Sequence, residues 1–173
     1  MGKISFLSLA ILFSEFLYSQ QVVGLEENSS YKSNGLEYGY YITNEQSKEV
    51  KGEDFDRYEV NLFVTNNSGC IKIIPFKTGI TPSSDEDVTI AEFTCQNATG
   101  KRLTAKGGKI QAKPWYTQVK ISDEKESNKY KLINAQVGYA VGNGQTLTTK
   151  IIVIVPKGER PKINCRTVYF PGI

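Results

Sequence analysis

The sequence predicts an all-β protein, a single antiparallel β-sandwich of about eight to nine strands. Three observations carry that expectation. Apolar residues recur at alternate positions, clearest in residues 58–65 and 131–141, and no stretch of helical periodicity exceeds a turn or two. Ten Tyr and eight Phe stand among many Val, Ile and Thr, side chains that suit a pleated surface. Fifteen Gly and six Pro punctuate the chain often enough to separate many short elements. At 173 residues, 39% of them hydrophobic, the chain is long enough to bury one core.

Residues 1–19 read as a signal peptide. Lys3 supplies a positive start, residues 4–13 are apolar, and Ser19 is a small residue at a possible cleavage point. The apolar run is too short to span a bilayer, and no later run is long enough to cross as a helix. Cleavage removes Lys3 together with Glu15, so the net charge stays at +3. The expected destination is therefore secreted, periplasmic or cell-surface. Residues 20–35 are polar and read as a flexible leader, which leaves 36–173 for the β-sandwich domain.

Within that domain residues 36–43 form a first strand with Leu36, Tyr38, Tyr40 and Ile42 on one side. Residues 44–56 are charged and read as a connection. Residues 58–65 alternate Tyr58, Val60, Leu62 and Val64 against polar neighbours, and Asn66-Asn67-Ser68-Gly69 turns the chain into a partner strand beginning at Cys70. A loop over 78–87 leads to a strand over 88–95. Gly107-Gly108 is a two-residue hairpin signal between 101–106 and 109–112. Pro114 marks a sheet edge or a bulge before the strand resumes at Trp115. Residues 131–156 read as the best core candidate, two strands joined through Gly142-Asn143-Gly144 into a hairpin. A last strand begins at Ile163 and contains Cys165.

The general architecture is immunoglobulin-like, without the family hallmark. Trp115 follows Cys95, but no cysteine lies two residues beyond Tyr139 to complete the Tyr-x-Cys corner.

Three cysteines in an exported chain predict one disulfide and one free thiol. Cys70, at a strand start, and Cys95, at a strand end, are the expected pair.

The chain has no His, which excludes Ser-His-Asp and Cys-His catalysis and the usual zinc sites. No metal-ligand spacing and no phosphate-cradling glycine loop occur, so neither a metal nor a cofactor is expected. Acids cluster at Glu53-Asp54-Asp56, Asp85-Glu86-Asp87 and Asp123-Glu124-Glu126, and read as solvated loops. The most uneven feature is electrostatic. Between Glu92 and Asp123 there is no acid, while Lys101, Arg102, Lys106, Lys109, Lys113 and Lys120 are basic, with Trp115 and Tyr116 among them. A basic ribbon carrying aromatic rings can hold anions and stack on sugar rings. Charged side chains on an edge strand serve equally to prevent edge-to-edge aggregation.

The expected function is an exported, non-enzymatic binding or assembly module. Its candidate contact residues are Lys101, Arg102, Lys106, Lys109, Lys113, Trp115 and Tyr116. The expected partner is an acidic polysaccharide or another surface protein; nucleic acid fits poorly with export. The alternatives are a carboxylate-dependent glycoside hydrolase and a subunit of a surface or secretion assembly. Asn28, Asn66 and Asn97 each head an Asn-x-Ser/Thr sequence, a glycan acceptor pattern in a eukaryotic secretory pathway.

Overall fold

The computed structural model describes residues 22–75, 88–96, 107–122 and 130–167. The predicted signal peptide, Lys101, Arg102, Lys106, Asn97 and the acidic clusters at 85–87 and 123–126 lie outside these residues. Among the described residues the chain is all-β, with eleven strands in three antiparallel sheets, no helix and no closed barrel. The strands are β1 (Val22–Leu25), β2 (Ser30–Ser33), β3 (Leu36–Val50), β4 (Glu53–Asn66), β5 (Lys72–Pro75), β6 (Thr89–Gln96), β7 (Gly108–Gln111), β8 (Lys113–Ser122), β9 (Tyr130–Val141), β10 (Thr146–Pro156) and β11 (Lys162–Thr167). They form sheets of order β1-β11-β6-β7, β10-β4-β3-β2 and β5-β9-β8.

The two four-stranded sheets contribute to one core. From β4 come Tyr58, Val60, Leu62 and Val64, flanked by Leu36, Tyr38 and Tyr40 of β3 and by Val153 and Val155 of β10. From the other sheet come Phe93 and Cys95 of β6, Ile110 of β7, and Ile163 and Cys165 of β11. A bulge between Thr89 and Ala91 breaks the alternation of β6, so Ile90 and Ala91 are both buried. Tyr139 and Val141, at the end of β9, join the same core.

Several sequence expectations change here. Residues 20–35, expected to be a flexible leader, carry two strands. β1 pairs with β11 and β2 with β3. Each is four residues long, too short for periodicity to register. The partner of β1 lies far along the chain, while β2 turns directly into β3 through Asn34 (φ 52°) and Gly35 (φ 74°). Residues 44–56 are not a charged connection. β3 and β4 pair without a gap down to Val50 and Glu53, closed by Lys51 (φ 56°) and Gly52 (φ 81°). Two successive positive φ angles make a turn whose twist matches the strands it joins. A bulge between Ile42 and Asn44 places Ser47 opposite Asp56 and Glu45 opposite Tyr58.

Two expected hairpins are crossings between sheets. β4 pairs with β3 and β10, while β5 pairs with β9. Likewise β9 ends in one sheet and β10 begins in another. One residue ties both crossings together. Asn66 is fully buried, and its amide donates to the carbonyls of Cys70 and Val141, each at 2.8 Å. Its side-chain oxygen accepts from the Ser68 amide at 3.0 Å. Its own main chain bonds Gly144 and Gln145. The turn expected around Gly142–Gly144 is present, but β10, the strand beyond it, finds its partner in β4 rather than β9. The β4 strand offers it an eleven-residue register from Thr146↔Thr65 to Pro156↔Phe55.

Gly107-Gly108 is not a hairpin turn. Neither glycine has a positive φ, and Gly108 lies in β7 opposite Phe93. Both glycines serve close approach: a Cβ on Gly107 would overlap the Phe93 carbonyl, and one on Gly108 would overlap Leu62 Cδ1 of the facing sheet.

Candidate functional site

β7 and β8 are one nearly continuous run with Ala112 between them. The run pairs first with β6 and then with β9, and among the described residues β8 is the outer strand of its sheet. Pro114 therefore sits on an edge, and a bulge lies between Trp115 and Tyr116, as the sequence suggested. Gly108, Ile110 and Ala112 are buried and alternate with the exposed Lys109, Gln111 and Lys113.

Of the seven predicted contact residues, Lys109, Lys113, Trp115 and Tyr116 are described, and the run places them in sequence along one strand path. Their availability differs. Lys109 Nζ lies 3.0 Å from Glu92 Oε1, and Arg166 pairs with the other oxygen of the same carboxylate. This three-residue ladder crosses β7, β6 and β11 on the solvent side. The Lys109 contact first, then Arg166, holds the Glu92 carboxyl below the usual carboxylate range, against the opposing effect of its desolvation. Trp115 is half-buried opposite Gly138, and Tyr116 is exposed opposite Gln136.

Beyond the bulge, β8 and β9 form a ribbon that the core does not cover. On one face Tyr116, Lys120 and Ser122 oppose Gln136, Leu132 and Tyr130. Tyr116, Leu132 and Tyr130 are 54%, 57% and 72% exposed. On the other face Ile121 opposes Lys131. Lys131 joins the basic side chains of this ribbon although it lies outside the basic segment of the sequence, because β8 pairs with β9.

The cysteines do not pair as expected. All three are free thiols in the structure; Cys70 is exposed, while Cys95 and Cys165 are buried. Cys70 lies in the crossing before β5, with its sulfur 3.3 Å from Ser68 Oγ. Cys95 points into the core from β6, so no Cys70–Cys95 bridge exists. Cys95 and Cys165 sit on neighbouring strands but are offset: Cys95 opposes Ile163 and Cys165 opposes Phe93. Such a diagonal separation, about 7–8 Å, exceeds what a disulfide spans. Burial pushes their thiols up to about 11 and about 12.

The Glu53-Asp54-Asp56 cluster is strand, not loop. Asp56 is buried, accepts from Ser47 Oγ at 2.6 Å and the Gly158 amide at 2.7 Å, and so fixes the turn between β10 and β11. The Ser47 bond first, then the Gly158 bond, lowers its carboxyl below the usual range. Among the described residues no group of three potential metal ligands converges. Of the glycan acceptor sequences, Asn66 is committed to the buried bonds above, while Asn28 is exposed.

A shallow cleft lies on the outer face of the β10-β4-β3-β2 sheet. It has a volume of about 250 Å³ and is lined by Asn28, Ser29, Ser30, Glu37, Tyr40, Tyr41 and Phe63. Reading residues 20–35 as a leader hid it, because its lip is the loop between β1 and β2. Tyr38 and Tyr40 do pack inward, as their shared side suggested, while Tyr41 faces out.

No family model, no curated protein and no solved structure matches this chain. The functional reading rests on its own residues.

Proposed function

We propose that this chain is an exported, non-enzymatic binding module, built as a β-sandwich that is immunoglobulin-like only in general architecture. The β8–β9 ribbon is its contact surface, and an acidic polysaccharide is its partner. The observation that carries this reading is the ribbon itself: Tyr116, Tyr130 and Leu132 exposed on a surface that also bears Lys120, with Lys113 at its base and Lys131 on its other side. Aromatic rings give sugar rings a stacking surface, and lysines give carboxylates or sulfates a counter-charge. The ladder with Glu92 leaves Lys109 a lesser role. For the sandwich, the support is the single core shared by residues of two four-stranded sheets, with Gly108 letting them approach closely.

The test is retention on a heparin or acidic-glycan resin under a salt gradient. A Lys113→Ala, Lys120→Ala, Lys131→Ala triple variant is expected to elute at clearly lower salt than the parent, because each cation contributes to a screened attraction. Equal retention of a folded triple variant removes the ribbon as the contact surface.

A second reading, a subunit of a surface assembly, is favoured by β10. This strand is the outer member of its sheet among the described residues, and it presents Ile152 and Ile154 to solvent, each about half exposed. An open apolar edge can accept another strand. Sedimentation across a concentration series decides it: a monomer at all concentrations, with no added partner strand, counts against self-assembly.

A further inference from the structure

The cleft on the outer face of the β10-β4-β3-β2 sheet has the chemistry of a sugar subsite. We infer that it binds one neutral hexopyranose ring, stacked against Phe63 and Tyr41 and hydrogen-bonded by Glu37. The site shares no residue with the β8–β9 ribbon and stands or falls independently of it.

The apolar wall comes from sheet register. Gly39 lies directly opposite Phe63, and the Phe63 ring crosses the space a side chain would fill: a Cβ on Gly39 would sit 2.7 Å from Phe63 Cε1 and 2.8 Å from the Ser29 carbonyl. Tyr41, two residues on, tilts its ring 41° to Phe63 with centroids 6.3 Å apart. The two rings form an open V rather than a closed stack, and Tyr41 is 39% exposed. The C–H face of a pyranose is the apolar surface such a wall accepts.

The polar rim is held in place before any ligand arrives. Glu37 accepts from Ser30 Oγ at 2.5 Å and from Asn67 Nδ2 at 2.6 Å, one donor on each carboxylate oxygen. Each oxygen keeps a lone pair for a ligand hydroxyl. The lip opposite is a turn: Asn28 adopts φ 58°, its amide donates to the Tyr40 carbonyl at 3.1 Å, and the Ser29 amide donates to the Glu26 carbonyl at 3.2 Å. Fixed walls lower the ordering cost of binding.

Size and charge narrow the ligand. About 250 Å³ is below the range of sites for drug-sized molecules, and it suits a single ring. Glu37 is the only charged residue lining the cleft among the described residues, so an anionic sugar is repelled where a neutral one is accepted.

The experiment is a titration of the 15N-labelled protein with methyl hexopyranosides, followed by amide shifts, with tetramethylammonium as a parallel probe. The expected result is saturable shifts confined to residues 28–30, 37–41 and 63, with a Kd of about 1 mM, as befits a ligand of that size. Tyr41→Ala is expected to weaken binding about fivefold to tenfold, and Glu37→Gln by a similar factor. Glu37→Gln keeps shape and size, so it reads the site even if Tyr41→Ala perturbs folding. Absence of shifts at about a hundred times that concentration overturns the inference. So do shifts scattered over the surface, shifts with tetramethylammonium but not with sugar, or an unchanged titration in a folded Glu37→Gln variant.

Discussion

β4 and the β8–β9 ribbon carry the same kind of sequence and meet opposite environments. In β4, Tyr58, Val60, Leu62 and Val64 alternate with polar residues, and all four are at most 2% exposed. In the ribbon, Tyr130 and Leu132 hold alternate positions too, yet more than half of each side chain faces water. Within β9 the change occurs along a single strand, from Tyr130 in solvent to the fully buried Val141. Alternation makes a strand with two faces; a second layer of protein decides whether either face is interior. β4 has neighbours on both sides and a facing sheet. Among the described residues, the ribbon has only its own two strands beyond the reach of β5.

The largest test of that contrast truncates a leucine in each place. Leu62→Ala is expected to cost about 3 kcal/mol of unfolding free energy, since Leu62 is fully buried and its loss leaves a cavity beneath Gly108. Leu132→Ala is expected to change stability by less than about 0.5 kcal/mol. Urea unfolding of both variants checks the pair, and comparable losses would mean that the ribbon is buried in solution.

Asn66→Ala comes next, at about 2 kcal/mol. The loss arises chiefly because the Val141 carbonyl keeps its burial and loses its donor. It should appear in the unfolding midpoint with little change in the urea dependence. A neutral result would show that the two crossings do not depend on this amide.

Asp56 sharpens the comparison through pH. Its folded carboxyl titrates below the ordinary value near 4, so its contribution is fully present above that pH and is lost as pH falls through the lower folded value. Stability measured from about pH 5 downward should fall less steeply in Asp56→Asn than in the parent. Equal slopes would place the acid sensitivity elsewhere.

The smallest effect is chemical and leaves stability untouched. Cys70 should react with a thiol reagent in the native protein, while Cys95 and Cys165 react only after denaturation. Native labelling of all three would show that the core opens at β6 and β11.

Some of this was legible in the chain. The inward sets of β3 and β4, the existence of β6, the edge character of Pro114 and the turn at Gly144 arise from local rules of periodicity and backbone freedom. The basic segment was visible as well, but its ion pairing was not. Glu92, Lys109 and Arg166 are far apart in sequence, and only neighbouring strands bring them together. The sugar cleft was hidden for the same reason, since Asn28, Gly39 and Phe63 meet through pairing.

By itself, then, the sequence determined that the chain is made of strands and which face of most of them is apolar, because period-two alternation is a property of neighbours along the backbone. The tertiary structure alone decided which strands share a sheet. It turned two hairpins into crossings, buried Cys95 away from Cys70, and left one ribbon in water. The physical reason is that strand pairing is carried by main-chain hydrogen bonds that every residue but proline can make. Partners are therefore chosen by how well whole faces pack, a quantity that no local stretch of sequence contains.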